Sequence, residues 1–252
     1  MPATVAWRIG CDNAFACMAL RRGKLERGGD APEDFLTLLL EAEGPEGLTR
    51  DEVEDNIITF IGAGHETTAR ALGWTFYLLA HAPEERARIE EEVDRVTASV
   101  SDPYDWLAAM PFTRAAFEEA LRLYPPAPSI NREAIRDFEW QGDTIRAGTQ
   151  VLIMPWTLHR HRLLWEKPEA FMPERFWPEN REAIDRFQYL PFGAGPRICI
   201  GAAFALQEAV IAMGVLMRRF RFAMAPGAPE PWPVQKLTTQ PDGGLQMVAT
   251  PR

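Results

Sequence analysis

Phe192-Gly193-Ala194-Gly195-Pro196-Arg197-Ile198-Cys199-Ile200-Gly201 sets three glycines around one cysteine, just ahead of a long apolar run. Glycines at these places let backbone come very close to something flat or bulky. The run from about Ile200 to Phe220 predicts a helix, so Cys199 lies at its mouth. Free N–H groups and the helix dipole favour a thiolate there. Arg197 adds a cation able to grip a carboxylate. A lone cysteine in a Gly-rich turn would ordinarily be a buried structural residue, because free Cys is among the most buried types. The ten-residue context shifts the balance away from that reading.

Upstream lies a long aperiodic stretch, 165–197, rich in Pro, aromatics and Arg. It reads as an ordered meander, and loops of that length are usually functional. Within it stands Pro173-Glu174-Arg175-Phe176. A helix over Thr113–Leu123, closed by Tyr124-Pro125-Pro126, carries Glu119 and Arg122 three residues apart and so on one face. A surface ion pair is the ordinary reading of that spacing. Phe117, Leu121 and Leu123 around it, and Arg175 as a second guanidinium, point instead to a buried network holding the meander.

Further upstream, Thr49-Arg50-Asp51-Glu52 reads as a capping box opening a helix from Asp51 to about Ala80, stopped by Pro83. Thirty residues would span about 45 Å. A helix so apolar on all sides predicts a central, buried position. Its middle reads Ala63-Gly64-His65-Glu66-Thr67-Thr68. Gly62 and Gly64 weaken the ladder there, and Thr67 could bond back to the Ala63 carbonyl. That predicts a break with an acid and an alcohol side by side, fit for proton delivery. Taken alone, the segment reads more readily as a kink at a packing contact.

Other elements are minor. Pro32–Leu40 reads as a short helix ended by the Gly44–Gly47 turn, and Glu84–Val96 as a charged helix. Strands are expected at Phe138–Trp140, Thr144–Arg146, Gln150–Ile153, Trp232–Leu237 and Gln246–Ala249, with turns at Gly142-Asp143 and Ala147-Gly148. Residues 1–20 show no clear period and remain unassigned. The class is mainly α with a minor β-sheet.

Composition narrows function. The 252 residues are 46% hydrophobic and 25% charged, the make-up of a chain that buries a core. Thirty-six acidic against 27 basic residues give a net charge of −9, which excludes a general electrostatic grip on nucleic acid. Three cysteines, Cys11, Cys17 and Cys199, are too few and too odd for a disulfide scaffold and fit a reducing, cytoplasmic compartment. The four histidines make no zinc spacing with them. No apolar run reaches the length of a membrane span, and the first twenty residues lack a signal peptide's basic start. Only Lys24, Lys167 and Lys236 are lysine, and this arginine excess points to a GC-rich, bacterial genome.

The segments, in this order, resemble the cytochrome P-450 family of haem-thiolate monooxygenases. Residues 192–201 match every fixed position of its Phe-x-x-Gly-x-Arg-x-Cys-x-Gly pattern. Ala63–Thr68 match its central-helix pattern, Glu119 and Arg122 its Glu-x-x-Arg, and residues 173–176 its Pro-Glu-Arg-Phe. The resemblance implies a truncated P-450 fold: residues 21–252 would be the C-terminal haem-binding portion, without the family's N-terminal helices. It implies haem b (iron protoporphyrin IX) as cofactor, with Cys199 as proximal iron ligand and Phe192, Gly193 and Gly201 packed beside it. Arg197 and Arg132 would bind haem propionates. Glu66 and Thr67 would relay protons to bound dioxygen, and Ala63, Gly64 and Thr68 would line the distal face. Glu119, Arg122 and Arg175 would be structural. Ala127–Asn131 and Thr238–Gln240 would touch substrate.

The reaction implied inserts one oxygen atom from O2 into an apolar small molecule. Electrons would come from NAD(P)H through a separate ferredoxin or flavoprotein reductase, since the chain holds no flavin or iron–sulfur motif. A truncated, catalytically silent haem-binding chain is the alternative. Peroxide-driven or isomerase chemistry on the same haem is a third reading, disfavoured by the Glu66–Thr67 pair.

Overall fold

The computed structural model describes residues 18–29, 32 and 34–252. Cys11 and Cys17 lie outside them. The fold is mainly α, with small antiparallel sheets. The chain forms two compact units, one ending at Glu66 and the other running from Thr67 to Arg252.

The first unit begins with α1 (residues 18–26) and α2 (Phe35–Glu41) and takes in the start of the long α3 (Arg50–His81). Sequence reasoning had room for one short helix before residue 50, and the described residues there hold two. Asp34 caps α2 by accepting from the Thr37 amide at 2.9 Å. At α3 the expected box closes in both directions: Thr49 N–H donates to Glu52 Oε2 at 2.8 Å, and Glu52 N–H to Thr49 Oγ1 at 3.2 Å. Met18, Leu40, Val53 and Ile57 form a small core of this unit.

In the second unit α3 continues, followed by α4 (Pro83–Ser99), the short α5 (Trp106–Ala109), α6 (Pro111–Leu123), the one-turn α7 (Pro155–Leu158) and α8 (Pro178–Arg181), and α9 (Ala202–Met217). Ile89, Val93 and Val96 recur at helical spacing on α4 and are buried. Each such side chain stabilises by about 1.5–3 kcal/mol. They join Phe112, Phe117 and Leu121 of α6 and Ala209, Val210 and Met213 of α9 in one core. Glu92 of α4 caps α6, accepting from the Phe112 and Thr113 amides at 3.0 and 2.7 Å. At Gly214 a Cβ would lie 2.9 Å from the Trp106 ring, so glycine lets α5 pack directly on α9.

The sheets are two-stranded pairs: β1 (Ile130–Glu133) with β4 (Gln150–Ile153), β2 (Phe138–Trp140) with β3 (Asp143–Ile145), β5 (Phe220–Met224) with β8 (Met247–Pro251), and β6 (Pro233–Gln235) with β7 (Thr239–Pro241). Three expectations need correction. The β2–β3 turn is Gln141-Gly142, both at positive φ (52° and 91°), as a two-residue hairpin of this twist requires. Asp143 therefore belongs to β3. The last helix ends at Met217, because Phe220 pairs with Pro251 across β5–β8. And α3 runs unbroken through Gly62 and Gly64, without the expected break. Nor is it buried throughout: burial is dense from Thr68 to Leu79, whereas Ala63, Gly64 and His65 are exposed. No helix among the described residues is long and apolar enough to cross a membrane.

Candidate functional site

The cysteine loop is shaped by backbone. Gly193 N–H donates to Leu190 O (3.2 Å), Ile198 N–H to Gly195 O (3.0 Å), and Cys199 N–H reaches back to Phe192 O (2.9 Å). Gly193 and Gly195 sit at φ +73° and +76°, which L side chains rarely adopt. The Cys199 thiol is free and exposed, three residues before the first residue of α9. A Cβ on Gly201 would lie 3.9 Å from its Sγ. Around the thiol the chain turns out apolar side chains: Ile198, Ile200 and Phe204 are 57, 85 and 68% exposed.

The loop touches β1: a Cβ on Gly193 would be 3.7 Å from Ile130 Cδ1. Side chains two apart on a strand share a face, so Arg132 lies on the face that meets the loop. Among the described residues its guanidinium bonds only its neighbour's carbonyl, Asn131 O, at 2.9 Å. Arg197 is exposed and pairs with no carboxylate among the described residues. Two cations free of carboxylate partners thus sit on the loop and on the strand beside it.

Glu119 and Arg122 are completely buried on α6. Arg122 spends every one of its five N–H groups: Nε and Nη2 on Glu119 (2.7 and 2.8 Å), Nη1 on the carbonyls of His159 and Pro168 (both 2.7 Å), and Nη2 again on Ala170 O (3.0 Å). Glu119 also accepts from Met172 N–H (2.9 Å) and Arg175 Nε (3.4 Å). Arg175 Nη2 reaches the carbonyls of Glu166 and Lys167. The structure therefore brings Glu119, Arg122 and Arg175 together, and through them fastens residues 159–172 to α6.

Each of the two segments singled out at 127–131 and 238–240 is bonded to residues flanking the other. Thr239 Oγ1 donates to Pro125 O (2.7 Å), Thr239 N–H to Pro126 O (3.0 Å), and Gln235 Nε2 to Ser129 Oγ (3.3 Å). The fully buried Trp74 of α3 donates its indole N–H to Thr239 O at 3.1 Å and stacks on Tyr124, ring centroids 4.0 Å apart. On α3, Glu66 and Thr67 are consecutive and half-buried, and Thr68 is buried.

Sequence reasoning missed His159 and Tyr189. His159 is fully buried. Leu190 N–H donates to its Nε2 at 2.8 Å, and its Nδ1 lies 3.2 Å from Arg122 O. An amide can only donate, so Nε2 holds a lone pair and Nδ1 carries the proton. Burial pushes the imidazole pKa down to about 3, helped by the Arg122 and Arg160 cations. Tyr189 Oη donates to Glu118 O at 2.9 Å. The two residues that lead into the cysteine loop are both pinned to α6 or to the segment bound to it. The only sequence signal was His159 itself, a histidine between apolar Leu158 and the meander.

A family model described as Cytochrome P450 matches residues 6–247. The chain is 39% identical over 209 residues to Protein LUTEIN DEFICIENT 5, chloroplastic, of Arabidopsis thaliana, covering 81% of this chain and 35% of that protein. It is 38% identical to Cyclooctat-9-en-7-ol 5-monooxygenase of Streptomyces melanosporofaciens, covering 80% and 44%. It is 36% identical to Cytochrome P450 4V2 of Homo sapiens, covering 74% and 36%. The chain thus spans less than half the length of these relatives.

Proposed function

The chain belongs to the cytochrome P450 family, and from that premise we propose that it supplies the thiolate side of a haem monooxygenase. The observation that carries this reading is Cys199: an exposed thiol at the centre of a backbone-locked loop, ringed by exposed apolar side chains. The residues fit a haem. A thiol is available to iron, Ile198, Ile200 and Phe204 offer an apolar bed for a macrocycle, and Arg197 and Arg132 are free for its propionates. Haem b bound there would supply reductive activation of dioxygen, and the general effect of a thiolate ligand is to push electron density toward O–O cleavage.

The chain's own residues would do the rest. Cys199 holds the iron as thiolate. Gly193 and Gly201 keep side chains out of the way, and Phe192 shields the sulfur. Arg197 and Arg132 orient the cofactor through charge-assisted hydrogen bonds. On α3, Glu66 and Thr67 pass protons. That role rests on the acid–alcohol pair, since the helix there is unbroken. Ala63, Gly64 and Thr68 would form the distal lining. The segments 127–131 and 238–240, each tied to the other's flank through Ser129 and Thr239, would contact an apolar substrate. The finer reading is transfer of one oxygen atom into that substrate, with electrons from a separate ferredoxin or flavoprotein reductase, in a bacterial cytoplasm.

The test is the reduced carbon-monoxide spectrum. Wild type should show the red-shifted Soret band of thiolate ligation, and Cys199→His should abolish it. Retention of the band in the variant would sink the assignment. Reductant-dependent oxygen uptake then separates a monooxygenase from a silent haem-binding chain.

A further inference from the structure

His159 is joined to both ends of one hydrogen-bonded route. On one side its Nδ1–H donates to the Arg122 carbonyl, and its own carbonyl accepts from the Arg122 guanidinium at 2.7 Å. On the other its Nε2 accepts from Leu190 N–H at 2.8 Å. Leu190 passes the constraint on: its carbonyl accepts from Gly193 N–H, and Phe192 O accepts from Cys199 N–H. The route thus runs from the fully buried Glu119–Arg122 pair through the His159 ring and then along backbone hydrogen bonds to the exposed cysteine. Tyr189, the residue before Leu190, packs its ring 5.3 Å from the His159 imidazole and is tied to Glu118 O. The imidazole has no other chemistry to perform: it is completely buried and both nitrogens are committed.

We propose that His159, as the Nδ1–H tautomer, is the positioning residue for Cys199, transmitting the fixed geometry of the α6 network to the cysteine loop through the Leu190 amide. The loop's internal hydrogen bonds all run from backbone to backbone, and of its side chains Phe192 packs against the core. Without an outside acceptor at Leu190 it would keep its turn and the Tyr189 tie to Glu118 O, but the Leu190 amide would lose its fixed place. A buried amide left without a partner is costly, and the loop would move to resolve it. The inference rests on the reading of Cys199 as iron ligand only for its spectroscopic arm.

Two substitutions separate the two nitrogens. Asparagine places its amide NH2 where Nδ1 is, and glutamine places an amide oxygen where Nε2 is. His159→Asn should keep the link to Arg122 O but release Leu190. Amide hydrogen exchange at Leu190 and Cys199 should then quicken at least about tenfold, while α6 amides stay protected. His159→Gln should restore slow exchange at both. With haem bound, His159→Asn should shift the reduced carbonyl band toward the form without thiolate, and His159→Gln should restore it. Equal exchange in wild type and the Asn variant, or equal loss in both variants, would overturn the proposal. Ring 15N shifts of the wild-type protein give an independent arm should a variant not fold: a protonated Nε2 would overturn it as well. Altered exchange with an unchanged carbonyl band would show that the thiolate keeps its place without His159 and would overturn the positioning, while the Cys199→His spectrum tests the ligand itself.

Discussion

The ion network on α6 and the cysteine loop are joined through His159, yet they are built on opposite plans. In the network, Glu119 and Arg122 have no exposed surface, and all five guanidinium donors are spent on a carboxylate and on the carbonyls of His159, Pro168 and Ala170. In the loop, backbone hydrogen bonds fix the path while Ile198, Cys199, Ile200 and Phe204 face outward. The first region is complete with side chains of this chain. The second offers surface to something else. Stability and ligand capture are thus assigned to different residues, and the comparison can be broken at several points.

Arg122→Ala attacks it hardest. Removing one partner of a buried pair costs about 3–5 kcal/mol, a large share of a typical total of about 5–15 kcal/mol, and leaves Glu119 with the Arg175 Nε contact and the Met172 amide. It also strands the carbonyls of His159, Pro168 and Ala170. Urea titration should show a chain largely unfolded or with a much lower midpoint. A midpoint near wild type would mean that the network does not carry the second unit.

Acid comes next. His159 has a folded pKa of about 3 against an ordinary value of 6.5. Between those values the unfolded chain binds more protons, so the stability tied to neutral His159 is full above pH 6.5. It is lost as pH falls toward 3, by up to about 1.4 kcal/mol per pH unit. Comparing wild type with His159→Gln across this window isolates that slope from the carboxylates that lose stability in the same direction, such as Glu90 among Arg221, Arg252 and Arg86. Parallel curves would refute it.

Cys199→Ser should do least to the fold. The thiol is exposed, so the midpoint should stay within about 0.5 kcal/mol of wild type, even as thiolate ligation disappears. A large loss of stability in the haem-free protein would show that the loop shares the work of the core.

What could be read from the sequence was mostly local. The capping box spans four residues and the cysteine loop ten, so their chemistry is visible in one window, and Thr49–Glu52 closes as expected. The Glu119–Arg122 pair was legible as a pair, but its backbone acceptors lie 37 to 48 residues further on and have no side-chain signature. His159 was illegible for the same reason: its meaning is the Leu190 amide, 31 residues away. Strands β1, β5 and β7 escaped because nothing in their own few residues marks them apart from the partners β4, β8 and β6. Phe220 looked like a continuation of an apolar helix until Pro251 supplied a neighbour.

The hydrogen bond from Trp74 to Thr239 has a consequence in time. The two residues are 165 positions apart. A ribosome adding about 5–20 residues per second needs about 8–33 s to make that stretch. For that interval the nascent chain presents an indole N–H without its final acceptor, on a helix whose burial depends on segments still to be made. Contacts of such sequence separation form late and keep apolar surface open during synthesis. The second half of α3 should therefore be a preferred docking point for chaperones on translating ribosomes, and its occupancy there should fall once residue 239 has left the exit tunnel.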